Sequence, residues 1–238
     1  MTYPTLEPIP GVSNYCDRWC ERCPFTNRCS VHAVEIAIGM CGGDEEAAVE
    51  LALGIPPPET PEDERRRTEL VEAANACVMA DADMEEFERE EEAREERVDE
   101  TRAITASMQA ALLMATWLRA NGSIDARLSA RAADALAIAR WDRHLIPVKL
   151  RRALRGLDEH RSGESGWDHP VQNDWNGTAK LTLICIARSI AAWDTLSEEL
   201  GDPEARAVAD QLRGLKREVE RAFPDAARFI RPGFDEEG

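Results

Sequence analysis

The amino-acid sequence predicts an all-α fold, a multi-helix bundle of six to eight helices. Ala, Glu, Arg and Leu dominate the 238 residues, aromatic residues make up only 5%, and residues of the dominant types favour helix. No segment shows sustained alternation of apolar and polar residues, the period of two that a half-buried strand requires. Glycines and prolines separate the apolar periodic stretches, where they mark helix ends and starts.

Capping and turn residues mark the first two predicted helices. Ser30 can cap a helix that ends at Gly42–Gly43, because serine favours the position before a helix and glycine the position after it. Asp44 starts a second, short helix, which the prolines at 56–58 close. These helices follow a cysteine-rich stretch near the N-terminus.

A longer helical stretch comes next. Thr60, Pro61 and Asp63 supply an N-cap, a first-turn proline and an acidic third residue, which together favour a helix start. Neither glycine nor proline then occurs until Gly122. A single helix over this span would measure about 90 Å at about 1.5 Å per residue. We therefore expect a break near residues 81–83, where an aspartate can cap a new helix.

The second half of the chain predicts four further helices. Ser123 caps one that runs through Trp141, and another follows Pro147. The apolar stretch 180–200 predicts the most buried helix, and a last helix ends near Phe223. The C-terminal residues, PGFDEEG, are expected to fray.

The charge distribution argues against nucleic acid as a partner. The net charge is −17 and the sequence pI is about 4.7, whereas phosphate binding needs a basic face. We interpret the basic run at Lys149, Arg151, Arg152 and Arg155 as a solvated helix face paired with part of the acidic excess. Residues 85–100 hold ten acidic and three basic residues, and without any E-x-x-H motif they predict an exposed helix face rather than a di-metal site.

The sequence also predicts a soluble, cytoplasmic protein that does not bind membranes. Its first residues, MTYPTLEPIPGVSNY, contain neither the charged n-region nor the apolar h-region of a secretory signal. The most apolar stretch, 181–193, is interrupted by Arg188 and is too short to span a bilayer. Because cytoplasmic thiols stay reduced, clustered cysteines in this protein indicate metal or redox chemistry before disulfides.

The stretch YCDRWCERCPFTNRCSVH concentrates thiols near the N-terminus. Four of the seven cysteines, Cys16, Cys20, Cys23 and Cys29, lie within fourteen residues, and His32 follows them. The charged residues between them make the segment too polar for a buried core. The four cysteines therefore predict a metal site.

Two kinds of metal centre compete for these ligands. A 4Fe–4S cluster uses four thiolates, often with two-residue spacings and a neighbouring proline, and Cys20, Cys23 and Pro24 have that character. Trp19 and Phe25 could supply a dry shell around it. In this case Cys16, Cys20, Cys23 and Cys29 are the four ligands, and His32, in the first turn of the following helix, is free.

Zinc is the alternative cofactor. It takes four thiolates, or three thiolates and an imidazole, often as two closely spaced pairs. Cys20 with Cys23 and Cys29 with His32 form two such pairs. Cys16 is then surplus or replaces His32, so the sequence leaves the metal open.

The spacing of Cys16, Cys20 and Cys23 resembles the three-cysteine motif of radical SAM enzymes. That resemblance covers eight residues. It implies a β/α barrel and one open iron position, whereas this sequence predicts no strands and Cys29 provides a fourth thiol. The sequence therefore does not predict radical SAM chemistry.

A second polar stretch lies between helices at residues 160–178. Paired Asp and His residues there could transfer protons or bind metal. In the alternative, structural interpretation, Asp174 or Thr178 caps the next helix while Trp167 and Trp175 pack on the bundle. The candidate residues of this possible second site are His144, His160, Asp168, His169 and Asp174.

These observations predict the domains and the function. Residues 1–58 form a cysteine-rich metal-binding segment with two short helices, docked on a helical bundle at 59–238. The first function class is an iron–sulfur protein for electron transfer or redox sensing, with a protein partner. The second is a structural zinc site in a helical adaptor or small-molecule-binding protein. No nucleophile–base pair or nucleotide fingerprint predicts a reaction. The cysteines assigned to apolar helix faces are Cys41, Cys77 and Cys185.

Overall fold

The computed structural model describes residues 7–53, 60–75, 81–121, 124, 128–163, 166 and 169–235. Within these residues the chain forms eight α-helices and several short 3-10 turns, and no β-strand. The predicted all-α fold is confirmed. The helices are α1 (Ser30–Met40), α2 (Glu45–Leu53), α3 (Pro61–Asn75), α4 (Asp81–Asp99), α5 (Arg102–Ala120), α6 (Ala130–Arg161), α7 (Asp174–Leu200) and α8 (Pro203–Ala222).

The chain divides into two compact units. The first comprises the residues up to Glu91 together with those from Pro232 onward, and the second runs from Glu92 to Arg231. The predicted domain boundary after residue 58 depended on the prolines at 56–58, which lie outside the described residues. That boundary stays a prediction.

The second unit is a helical bundle in which α5 and α7 each pack against both α6 and α8. The rings of Trp117 and Trp193 meet edge to face in its core, with their centroids 5.0 Å apart. Helix α7 contains the stretch predicted to be the most buried, and its inner face is buried from Trp175 to Leu196. Other large side chains fully buried in this unit are Met114, Leu136, Ile146, Leu150, Ile186, Leu196, Leu212 and Leu215.

Helix α6 is continuous although Pro147 lies inside it. The prediction that one helix ends at Trp141 and another follows Pro147 is therefore wrong. An internal proline removes one backbone hydrogen bond and costs about 3 kcal/mol. Ile146 and Leu150 on either side of it are buried in the core. Tertiary packing of this kind overrides local helix propensity.

Two helix starts differ from the sequence prediction. Helix α6 begins under a cap from Ser129, whose Oγ accepts the Ala132 N–H at 3.1 Å; the predicted cap, Ser123, lies outside the described residues. A boundary that was not predicted separates α4 from α5, where Thr101 Oγ1 accepts the Ile104 N–H at 3.3 Å. Without a glycine or proline beside it, a single threonine is a weak sequence signal.

Several predicted helix starts are confirmed by their hydrogen bonds. Thr60 Oγ1 accepts the Asp63 N–H at 3.2 Å and donates to the Asp63 carboxylate at 2.6 Å. Asp44 Oδ1 accepts the Ala47 N–H at 3.0 Å. Helix α4 begins at Asp81, where the sequence predicts a break.

The basic run of α6 pairs with acidic residues, as predicted. Arg151 donates to both Glu95 and Asp99, and Arg155 donates to Glu95 at 2.8 Å. The acidic run is exposed along residues 84–90, as predicted, and most of its later positions are exposed too, but Arg94 and Val98 are buried. Its later carboxylates bind α6, so the second part of α4 belongs to the bundle.

Asp202 connects two helices through its two carboxylate oxygens. Oδ1 caps α8 by accepting the Glu204 N–H at 2.8 Å, and Oδ2 accepts the indole N–H of the buried Trp117 at 2.6 Å. We expect Asp202→Ala to lower the free energy of unfolding by about 2–3 kcal/mol, because it removes a cap and the acceptor of a buried N–H. Urea titration followed by tryptophan fluorescence measures the loss. Asp202→Asn keeps one acceptor oxygen and should lose less, so equal losses would contradict the two roles.

Candidate metal centre

The cysteine-rich segment precedes α1 and is built from turns. Two 3-10 turns, Cys20–Arg22 and Thr26–Arg28, separate its thiols. Cys29 has the extended backbone of a cap residue, and Ser30, the expected cap, is instead the first helical residue. The Cys29 side chain makes no capping hydrogen bond, so α1 does not use its sulfur.

The chain bends between the first two cysteines at Arg18. This residue has a φ of 57°, and among the described residues no other non-glycine residue has a positive φ. The left-handed conformation costs about 1–2 kcal/mol for a residue with a Cβ. Hydrogen bonds on both sides support it: Asp17 Oδ1 accepts the Trp19 N–H at 3.1 Å, and Arg18 Nη1 donates to Glu35 Oε1 at 3.2 Å. Backbone strain of this kind collects at binding sites.

Every residue that the sequence predicts as a metal ligand lines one pocket. It lies within the first unit. The four cysteines and His32 all line it. Its apolar lining consists of Val12, Trp19, Phe25, Val31 and Phe234.

The four cysteines of the pocket are free, half-buried thiols. The Cys16 thiol donates to the Ser13 carbonyl at 3.3 Å, and Cys23 Sγ accepts the backbone N–H of Phe25 at 3.4 Å. The Cys23 N–H donates to the Cys20 carbonyl at 3.2 Å and closes the turn between these two cysteines. Backbone N–H groups directed at sulfur stabilise a thiolate, which is the form that binds metal.

Burial and nearby negative charge act together on the Cys20 thiol of the pocket. Burial raises the pKa of the Cys20 thiol, and the negative charges of Glu35, Cys16, Cys23 and Cys29 raise it further. These charges therefore disfavour the Cys20 thiolate. A metal ion would supply the missing positive charge, because metals bind the deprotonated thiol.

His32 faces the pocket from the first turn of α1. Its Nδ1 is buried and has no hydrogen-bond partner, and the nearest carboxylate oxygen, Glu35 Oε2, is 3.9 Å away. Ligand atoms of Cys20, His32 and Glu35 all lie within 4.8 Å of one another. To reach the loop from the first turn of α1, the imidazole has to turn back toward it. The structure shows this orientation, because helix side chains lean toward the N-terminus.

Glu35 is a possible ligand that the sequence analysis missed. It lies three residues after His32, so both side chains are on the same face of α1. A search for carboxylates at helical spacing from His32 would have found it. Its side chain is 51% exposed and also binds Arg18.

The residues of the possible second site are used in separate structural contacts. His144 Nε2 accepts from Arg143 Nε at 3.1 Å, and Asp174 binds Arg152. His160 and His169 line a common pocket. Asp168 lies outside the described residues.

The contacts of the two histidines in this pocket are mainly structural. His160 stacks on the buried Trp175, with ring centroids 4.4 Å apart. His169 Nδ1 accepts the backbone N–H groups of Val171 and Gln172, at 3.1 and 2.7 Å. The structure therefore favours the anchoring interpretation of this stretch, and Trp175 packs on the bundle as that interpretation expects.

The cap of α7 differs from both predicted candidates. Asn173 Oδ1 accepts the Asn176 N–H at 2.9 Å, so neither Asp174 nor Thr178 is the cap. Asparagine is as good a cap as aspartate. The cap therefore lies one residue before Asp174, the nearer of the two predicted caps. Trp167, which was predicted to pack on the bundle, lies outside the described residues.

The remaining cysteines lie apart from the pocket. Cys185 is 1% exposed in the core, as predicted. Cys41 is half-buried and follows the last residue of α1, so its assignment to a core helix face is wrong. Cys77 lies outside the described residues.

Comparison with known protein families, curated proteins and solved structures found no match to this chain. None of the described helices combines the length and the apolar character needed to cross a membrane.

Proposed function

We propose that this chain is an iron–sulfur protein whose 4Fe–4S cluster is held by Cys16, Cys20, Cys23 and Cys29. The bound cluster exchanges single electrons, which suits electron transfer or redox sensing. The chain's own residues hold the cluster, limit its contact with water and present it to a partner. The observation that carries the proposal is the convergence of four free thiols on one pocket.

The number and spacing of the thiols support a cluster. The four cysteines line one pocket. Cys20 and Cys23 have the two-residue spacing, and Pro24 is the neighbouring proline, that are common among the ligands of iron–sulfur clusters.

The lining of the pocket supports the same proposal. Trp19, Phe25 and Phe234 contribute aromatic surface beside the thiols. An apolar shell lowers solvent access to a cluster and tunes its potential. The backbone N–H that Phe25 donates to Cys23 Sγ is the kind of hydrogen bond that adjusts that potential.

A structural zinc ion is the second candidate. The observation that favours it is the buried Nδ1 of His32, which lacks a hydrogen bond and lies with Cys20 and Glu35 in a three-ligand group. An imidazole and thiolates are suitable zinc ligands. In this case the helical body acts as an adaptor or binds a small molecule.

The metal content of the purified protein tests both proposals. Protein prepared without oxygen should be brown and contain about four irons and four sulfides per chain if the cluster is bound. Colourless protein with one zinc would support the second candidate. Protein that binds neither metal after reconstitution would overturn both.

Substitution of His32 distinguishes the four-cysteine ligand set of the cluster from the zinc ligand set that includes the histidine. We expect His32→Ala to keep the full iron and sulfide content, because four thiolates hold the cluster without it. Elemental analysis and visible absorption measure the result, with wild-type protein prepared in parallel. If His32→Ala loses its metal while Cys16→Ser keeps it, the site is zinc held by three cysteines and one histidine.

We further propose a cytoplasmic protein that acts through a protein partner. None of the six described cysteines forms a disulfide, which fits a reducing compartment. The acidic charge of −17 disfavours nucleic acids as partners.

A further inference from the structure

The C-terminal residues 232–235 belong to the same unit as the cysteine segment. Pro232 packs beside Gly11, where an added Cβ would lie 3.5 Å from the proline Cγ. The sequence analysis expected these residues to fray. They are instead placed by contacts with the chain that leads into the first cysteine.

Gly233 fixes the backbone of this segment. Its φ is +74°, a conformation that glycine adopts without strain. A Cβ at this position would come within 3.1 Å of Ile9 Cδ1 and 3.4 Å of Val12 Cγ2. Only glycine therefore allows both the turn and the close approach.

Phe234 then reaches the metal pocket. Its ring meets that of Phe25 edge to face, with centroids 4.9 Å apart and planes at 89°. It lines the pocket together with the four cysteines. Its partner Phe25 is the residue whose backbone N–H donates to Cys23 Sγ, so Phe234 packs on a residue that contacts a pocket thiol.

We propose that residues 232–235 form a lid, with Phe234 as the residue that controls access of solvent and metal to the four-cysteine pocket. The inference rests on the proposed function, since the lid serves the metal held there. The ring closes the pocket by packing on Phe25, and Gly233 holds the segment in the closed position.

Thiol reactivity of the metal-free protein tests the lid without any cofactor. We expect Phe234→Ala to raise the alkylation rate of the pocket cysteines by iodoacetamide about tenfold, because thiol reactivity depends on access to the sulfur. Gly233→Ala should give a similar increase, because its Cβ displaces the segment. Peptide mass spectrometry measures the alkylation rate of each cysteine separately.

Two matched controls accompany these variants. Phe87→Ala removes a phenylalanine that is 48% exposed and does not line the pocket. Gly42→Ala introduces a Cβ at φ +66° where no atom lies within 4 Å. Neither control should change the alkylation rate. Equal rates in Phe234→Ala, Phe87→Ala and the wild type would overturn the lid.

Metal release provides the second measurement. In iron-loaded protein kept without oxygen, Phe234→Ala should lose iron to a bathophenanthroline chelator about tenfold faster while its initial iron content stays at the wild-type value. Unchanged release would contradict the lid. Absence of metal from the wild type, with faster alkylation of the Phe234→Ala thiols, would overturn the proposed function and leave the lid supported.

Discussion

Cys20→Ser is expected to abolish metal binding. Cys20 Sγ belongs to the three-ligand group with His32 and Glu35. The negative charges of the other three pocket cysteines raise the pKa of its thiol. Loss of this thiol therefore removes a ligand that both the cluster and the zinc ligand sets contain. Even outer-shell substitutions cost 10–100-fold in metal affinity, and loss of a ligand costs more. Iron, sulfide and zinc analysis after anaerobic reconstitution measures the result.

Cys41→Ser is the matched control for this substitution. Cys41 is a free, half-buried thiol in the same unit, but it does not line the pocket. We expect it to keep the full metal content. Full metal in Cys20→Ser would contradict both the cluster and the zinc ligand sets, since each includes Cys20.

The metal-free proteins show whether a variant loses metal by misfolding. Because site formation is coupled to local folding, metal-free wild type and Cys20→Ser should give the same helical circular dichroism and the same exchange of amide hydrogens in residues 16–29. Added iron and sulfide, or zinc, should then slow exchange in the wild type alone. Slower exchange in both proteins would assign the metal to another site.

Local hydrogen bonds explain which parts of the fold the sequence predicts. The starts at Asp44 and Thr60 depend on a side-chain oxygen and an N–H within three residues. Short-range capping needs no knowledge of the rest of the chain. The helix across Pro147 depends on the burial of Ile146 and Leu150, which the local sequence does not reveal.

The same limit applies to the candidate site. The count and spacing of the cysteines predict a metal ligand set, because four thiols in a short polar segment rarely serve a core. The partners that come from elsewhere in the chain were not predicted. Phe234 lies more than 200 residues from Phe25, so no local pattern in the sequence pairs the two rings.

Arg188→Met is expected to cause the largest loss of stability in the bundle. Arg188, on α7, donates through Nε and Nη2 to the two carboxylate oxygens of Asp142, on α6. The Asp142 side chain is fully buried, while 27% of the Arg188 side chain is exposed. Removal of the arginine leaves a buried carboxylate without its bidentate cation. We expect the free energy of unfolding to fall by about 3–5 kcal/mol, measured by urea denaturation.

The same substitution at Arg213 is the control. Arg213 binds Asp210, whose side chain is 61% exposed, and Asp194, whose side chain is 26% exposed. Because neither carboxylate is fully buried, we expect a smaller loss than at Arg188, closer to the roughly 1 kcal/mol of an exposed pair. The double variant Asp142→Leu/Arg188→Met should recover most of the stability, because an apolar pair of similar volume can replace a buried ion pair. If Arg188→Met costs no more than Arg213→Met, the buried charge of Asp142 is stabilised by groups other than Arg188. A double variant as unstable as Arg188→Met would instead show that the loss comes from the packing of α6 on α7.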